Sequence, residues 1–66
     1  MSLAVVIHYG EGFEEGQVDM KNRQFDLWEA KAQIVEAESI TKTEITEAFW
    51  MGYVDGGMSY LDGVIL

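Results

Sequence analysis

The sequence predicts an α+β protein that is mainly helical and assembles as a homo-oligomer. An N-terminal stretch rich in β-branched and aromatic residues is typical of a strand. Two later stretches begin with helix-capping signals and are predicted to form a two-helix hairpin, with helices at about 27–38 and 42–58. The second helix is apolar on nearly all sides, which indicates a partner chain. All 66 residues, 1–66, are expected to form a single small domain.

The N-terminal third of the chain carries the strand prediction. Leu3–Tyr9, LAVVIHY, is predicted as a strand that ends at Gly10. Gly10–Gly16, GEGFEEG, is predicted as a solvated loop, because it lacks both the alternating ligands of a calcium loop and the lysine of a phosphate loop. Gln17–Gln24 is compatible with a short hairpin, so strand structure is left open for part of 17–35.

The first predicted helix starts at a capping box formed by Asp26 and Glu29. The residues that follow are mostly strong helix formers. They place apolar side chains in two adjacent stripes, one formed by Leu27, Ala30, Ile34 and Ala37 and the other by Trp28, Ala32 and Val35. The alternation of apolar and polar residues from Trp28 to Ile34 also fits a half-buried strand. Helix propensity favours the helix.

The second predicted helix carries most of the large apolar side chains. Thr41 and Glu44 have the spacing of a capping box. Because a helix that is apolar on all sides must be buried on all sides, and a chain of this length cannot surround it, a second copy is expected to cover it. The residues predicted at this oligomer interface are Phe49, Trp50, Gly52, Tyr53, Val54 and Gly56.

The glycines of this segment allow two interpretations. Gly52 and Gly56 form a G-x-x-x-G pattern, which lets two helix backbones approach closely. Alternatively, Gly56 and Gly57 end the helix, and Val64–Leu66 then adds an edge strand beside the N-terminal strand. The sequence leaves both open.

Composition restricts the chemistry and the partners. Twelve acidic and four basic residues give a net charge of −8, which disfavours binding to nucleic acids and to anionic membranes. The chain has no cysteine, and His8 is its single histidine, so we expect no disulfide, no metal and no cofactor. No nucleophile or acid–base pair stands in a catalytic setting, and we expect no enzyme activity. Asp55, flanked by Val54 and Gly56, is the one acid in an apolar setting, and a place on the polar strip of the helix is expected for it.

These observations favour a small acidic protein of structural or interaction type that self-assembles through its aromatic helix. The alternative is an acidic inhibitor or adaptor that binds a basic, possibly DNA-binding, protein. A small-ligand or metal binder with a pocket between subunits is third. Because the sequence contains no basic segment followed by an apolar leader and no apolar run of roughly 18–20 residues, a soluble, cytoplasmic protein is expected.

Overall fold

The computed structural model describes residues 3–39 and 44–65, and these form three α-helices. Helix α1 spans Leu3–Lys21, α2 spans Leu27–Ser39 and α3 spans Glu44–Ile65. Helices α1 and α3 lie side by side and point in the same direction, while α2 runs back antiparallel to α3. Within the described ranges, α1 and α2 do not pack against each other, so α3 is the central helix.

The predicted α+β fold class is wrong, because the described residues contain no strand. The predicted strand Leu3–Tyr9 forms the first turns of α1, and the predicted loop Gly10–Gly16 continues the same helix. β-Branched residues lower helix propensity only slightly, and tertiary packing of a helix face easily outweighs that preference. Here the packing comes from Gly12 and Gly16, which are buried against α3.

The predicted hairpin at 17–24 is also wrong, since α1 continues to Lys21 and then ends in a Schellman turn. The backbone N–H of Gln24 donates to the carbonyl oxygen of Asp19 at 2.7 Å, and that of Arg23 donates to the oxygen of Met20 at 3.1 Å. Arg23 has φ of 61°, the left-handed conformation that this turn normally gives to glycine. The turn reverses the chain and directs it into α2.

Helix α2 begins at Leu27, directly after Asp26, as the capping box of Asp26 and Glu29 predicts. The Asp26 Oδ1 accepts a hydrogen bond from the backbone N–H of Glu29 at 2.9 Å. Ala30 is fully buried and Ile34 is half-buried, so the stripe that contains them is the one that packs on α3. The segment is therefore helical, and the alternative strand at 28–34 is excluded.

Helix α3 is longer than predicted and is uninterrupted by its glycines. It begins at Glu44 and ends at Ile65, compared with the predicted 42–58. Gly56 and Gly57 lie inside it, so they do not end the helix, and 64–65 are helical where an edge strand was the alternative. The predicted cap Thr41 and the terminal Leu66 lie outside the described residues. A helix tolerates interior glycines when they allow a close contact that other residues would prevent.

Candidate binding groove

Four glycines bring the backbones of α1 and α3 into direct contact. A methyl group added at Gly12 would overlap the carbonyl oxygen of Phe49, and one added at Gly16 would overlap that of Tyr53. On α3, a methyl group at Gly52 or Gly56 would overlap the carbonyl oxygen of Tyr9 or Phe13, respectively. Both helices thus carry a G-x-x-x-G pair at the contact, and the close approach that Gly52 and Gly56 predict takes place within one chain.

Aromatic side chains fill the other side of α3, where α2 begins. The rings of Phe25 and Tyr53 are stacked, with centroids 4.8 Å apart and planes 7° from parallel. Trp50 contacts Tyr53 edge-on at 5.2 Å and Phe49 edge-on at 5.3 Å. The Phe25 ring also lies directly over Gly57, where a side chain would collide with it. These contacts fix the start of α2 on the middle of α3.

The Tyr53 hydroxyl connects α3 with α1 and with Asp26, the residue that caps α2. It donates a hydrogen bond to Asp19 Oδ2 at 2.7 Å and accepts one from the backbone N–H of Asp26 at 3.3 Å. The side chain is only 4% exposed. Burial and the hydrogen bond to the Asp19 carboxylate raise the pKa of Tyr53 to about 12. Tyr53 is therefore a structural residue of the chain's own core.

The residues predicted for the oligomer interface are divided between core and surface. Gly52, Tyr53 and Gly56 are buried under helices of the same chain. Phe49, Trp50 and Val54 are half-buried and keep some accessible surface. The interface stays a prediction, but in this fold a second copy reaches only the second group of residues.

An open groove lies between the N-terminal halves of α1 and α3. It has a volume of about 740 Å³ and is lined by Val5, Val6, Tyr9, Glu44, Glu47, Ala48 and Met51. The lining is mostly apolar, and Val6 and Met51 are each about half exposed. A concave apolar surface with a few polar groups at its border is the usual form of a binding site. The groove is the best candidate site among the described residues.

Carboxylates crowd one border of this groove. Glu44 and Glu47 lie in the first turn of α3. A hydrogen bond with Glu38 at the end of α2 raises the pKa of Glu47, and the negative charges of Glu38 and Glu44 act in the same direction. Proximity of like charges costs energy that an added cation would relieve. This border is thus suited to a positively charged group.

Tyr9 connects the groove to the outer surface of α3. Its hydroxyl donates a hydrogen bond to Asp55 Oδ2. This bond, together with partial burial, raises the pKa of Tyr9. The Asp55 side chain is exposed, in agreement with the predicted place on the polar strip. Tyr9 therefore forms part of the groove wall and holds α1 to α3 beside it.

A second apolar surface lies on the outer side of α2. Trp28 is 80% exposed and Val35 is 63% exposed, and Ala32 lies on the same side. The ammonium group of Lys31 is 5.8 Å from the centre of the Trp28 ring, within the range of a cation–π contact. This is the second predicted apolar stripe of the helix, and its three side chains are exposed.

The acidic residues form a surface rather than a metal site. Ten of the twelve acidic side chains are exposed, and Asp19 and Glu47 are half-buried. In residues 3–39 and 44–65, no group of three or more histidine, aspartate or glutamate side chains is arranged to hold a metal ion. His8 pairs with Glu11 one turn away, at 3.1 Å from Nδ1 to Oε1.

The sequence indicated neither the groove nor the role of Tyr9, because Leu3–Tyr9 was predicted as a strand.

Comparison of the chain with protein-family models, curated proteins and solved structures finds no match. None of the three helices, over the residues described, combines the length and apolar character needed to cross a membrane.

Proposed function

We propose that this protein binds a basic protein partner and acts as an adaptor or inhibitor. The observation that supports this proposal is the apolar groove with Glu44 and Glu47 at its border, in a molecule of net charge −8. Apolar contacts supply affinity, and the surrounding negative charge accelerates association with a basic partner and selects against acidic ones.

The test is to capture partners from the source cells, identify them, and measure each purified partner by calorimetry at several salt concentrations. A basic partner is expected, with affinity about tenfold or more lower at 500 mM than at 50 mM salt, because screening shortens the range of charge attraction. A neutral or acidic partner, or an affinity that does not change with salt, contradicts the proposal.

Self-association is a second candidate function, and the exposed apolar side of α2 favours it. Trp28 and Val35 are large apolar residues that remain mostly exposed in the described part of the chain. Sedimentation equilibrium over a wide concentration range should then give an oligomer that Trp28→Ala returns to a monomer. A monomer at all concentrations contradicts this candidate, as does an oligomer that Trp28→Ala leaves intact.

A further inference from the structure

We infer that the groove receives a single amphipathic α-helix of the partner, apolar on one side and carrying lysine or arginine beside Glu44 and Glu47. This inference rests on the proposed function and specifies the structure of the segment that is bound. It follows from the backbone of the groove walls, the length of the groove and the distribution of charge.

The groove walls favour a helix over an extended peptide. Both walls are α-helices, whose interior N–H and C=O groups are already paired within each helix. Extended peptides gain main-chain hydrogen bonds when they add to a sheet edge, and the described residues contain no sheet. A helix satisfies its backbone internally and presents only side chains to the groove.

The dimensions of the groove fit about two turns of helix. On α3 the lining residues extend from Glu44 to Met51, which corresponds to roughly 10 Å at 1.5 Å per residue. Two turns place apolar side chains at positions i, i+3, i+4 and i+7 on one side. Met51 is half exposed and flexible, so it can adapt to the side chains that enter.

The charges distinguish a foreign basic helix from a second copy of this chain. Glu44 and Glu47 lie one turn apart, and an approaching helix can meet them with cations that are also one or two turns apart. The basic residues of this chain are Lys21, Arg23, Lys31 and Lys42. No two of them are three, four or seven positions apart, and Arg23 and Lys31, which are eight apart, do not lie on one helix, because α2 begins at Leu27. No helix of a second copy, over the described residues, therefore offers the required pair.

The probes are three fluorescent peptides of about 16 residues, built mainly from leucine, alanine and lysine. The first forms an amphipathic helix, the second has a scrambled order, and the third has the first sequence with a central proline in place of alanine. Fluorescence anisotropy measures their binding to the full chain at 50 and 500 mM salt. The first peptide is expected to bind at least about tenfold more tightly than the other two, since the scrambled order removes the apolar side of the helix and a central proline interrupts the helix itself.

Matched variants locate the binding site. Met51→Glu introduces a charge into the groove, whereas Met58→Glu makes the same change on the same helix outside the groove lining, at similar exposure (48% and 40%). Met51→Glu is expected to lower affinity about tenfold or more and Met58→Glu less than twofold, although both add a negative charge that attracts the peptide. Nitrogen-15 NMR of the unmodified chain gives an independent readout, in which the amides of Val6 and Met51 should shift most on titration.

A second pair of variants tests the carboxylates. Replacing Glu44 and Glu47 by glutamine should lower affinity about threefold to tenfold and reduce its dependence on salt. Replacing Glu14 and Glu15, which are exposed on α1, makes the same change in net charge and should have a smaller effect.

The outcomes separate the inference from the proposed function. If all three peptides bind equally, if Met51→Glu and Met58→Glu act alike, or if the NMR shifts lie outside the groove, the inference is overturned while binding to a basic partner stands. If the captured partner binds with the expected salt dependence but none of the peptides binds at 50 mM salt, the inference alone fails. If neither partner nor peptide binds, both fail.

Discussion

Replacing the buried glycines by alanine should reveal how closely α1 and α3 pack. At Gly12 and Gly56, the added methyl group would overlap a carbonyl oxygen of the opposite helix. Because the overlapping atoms belong to the backbone, the collision is relieved only if the whole helix moves. At Gly10, also inside α1, an added methyl group has no neighbour within 4 Å.

Gly10→Ala and Gly12→Ala should therefore change the free energy of unfolding in opposite directions. Alanine is favoured over glycine in a helix interior by about 0.5–1 kcal/mol, and Gly10→Ala should raise the free energy of unfolding by this amount. At Gly12 the same gain is opposed by overpacking, which costs about 1–3 kcal/mol when side chains can adjust and more when backbones collide. A net loss of about 2 kcal/mol or more is expected, from a total of roughly 3–10 kcal/mol for a domain of this size.

Urea and thermal unfolding followed by circular dichroism measure both effects. For a domain of this length, 1 kcal/mol corresponds to about 4–8 °C in Tm. Gly10→Ala should raise Tm by a few degrees, while Gly12→Ala and Gly56→Ala should lower it by about 8 °C or more. If Gly12→Ala stabilises the chain as much as Gly10→Ala does, the backbone contact between α1 and α3 is refuted.

Three further perturbations test local features of the fold. Arg23→Gly should stabilise the chain by about 1 kcal/mol in urea unfolding, because Arg23 adopts φ of 61°, and an unchanged midpoint would contradict the Schellman turn. Tyr53→Phe should destabilise it by about 1–2 kcal/mol at pH 7, since the hydrogen bond to Asp19 is lost. Because the pKa of Tyr53 is raised to about 12, the contribution of its hydroxyl to the free energy of unfolding is complete below pH 10 and is lost as pH rises from 10 to 12. Tyr53→Phe should remove this loss of stability at alkaline pH. If the dependence of stability on pH is the same in the variant, the raised pKa of Tyr53 is refuted. Glu47→Gln should raise Tm at pH 7, because Glu38 raises the pKa of Glu47 and so disfavours its charged form. This gain in Tm should vanish below about pH 4, where the Glu47 side chain is itself neutral. Equal gains in Tm at both pH values would contradict the contact between Glu38 and Glu47.

The sequence predicted the second and third helices much better than the first. Asp26 and Glu29 mark the start of α2 with a specific hydrogen-bonding pattern, and in the structure the Glu29 N–H donates to the Asp26 carboxylate. The segment 3–16 has no comparable signal, and its β-branched residues and glycines favour strand and loop when each window is considered alone. The helix forms because Gly12 and Gly16 contact α3, and that contact joins residues about 37 positions apart in sequence.

The spacing of the glycines carried more information than their number. The spacing of Gly52 and Gly56 predicts a possible helix contact, and Gly12 and Gly16 have the same spacing although their composition favours a loop. Recognising both pairs together would have predicted two helices in backbone contact. The groove was beyond sequence analysis, because it depends on the parallel orientation of α1 and α3 and on their offset along the axis.

The glycine contacts and the groove are two results of the same packing. Gly52 touches the carbonyl oxygen of Tyr9, and Tyr9 and Met51 then line the groove immediately beside this contact. Helices with larger residues at the contact remain 8–10 Å apart and fill the space between them with interdigitating side chains. Here the backbones themselves meet, and side chains next to the contact, such as Val6 and Met51, stay half exposed. The close contact that stabilises so small a domain therefore also leaves apolar surface available for a partner.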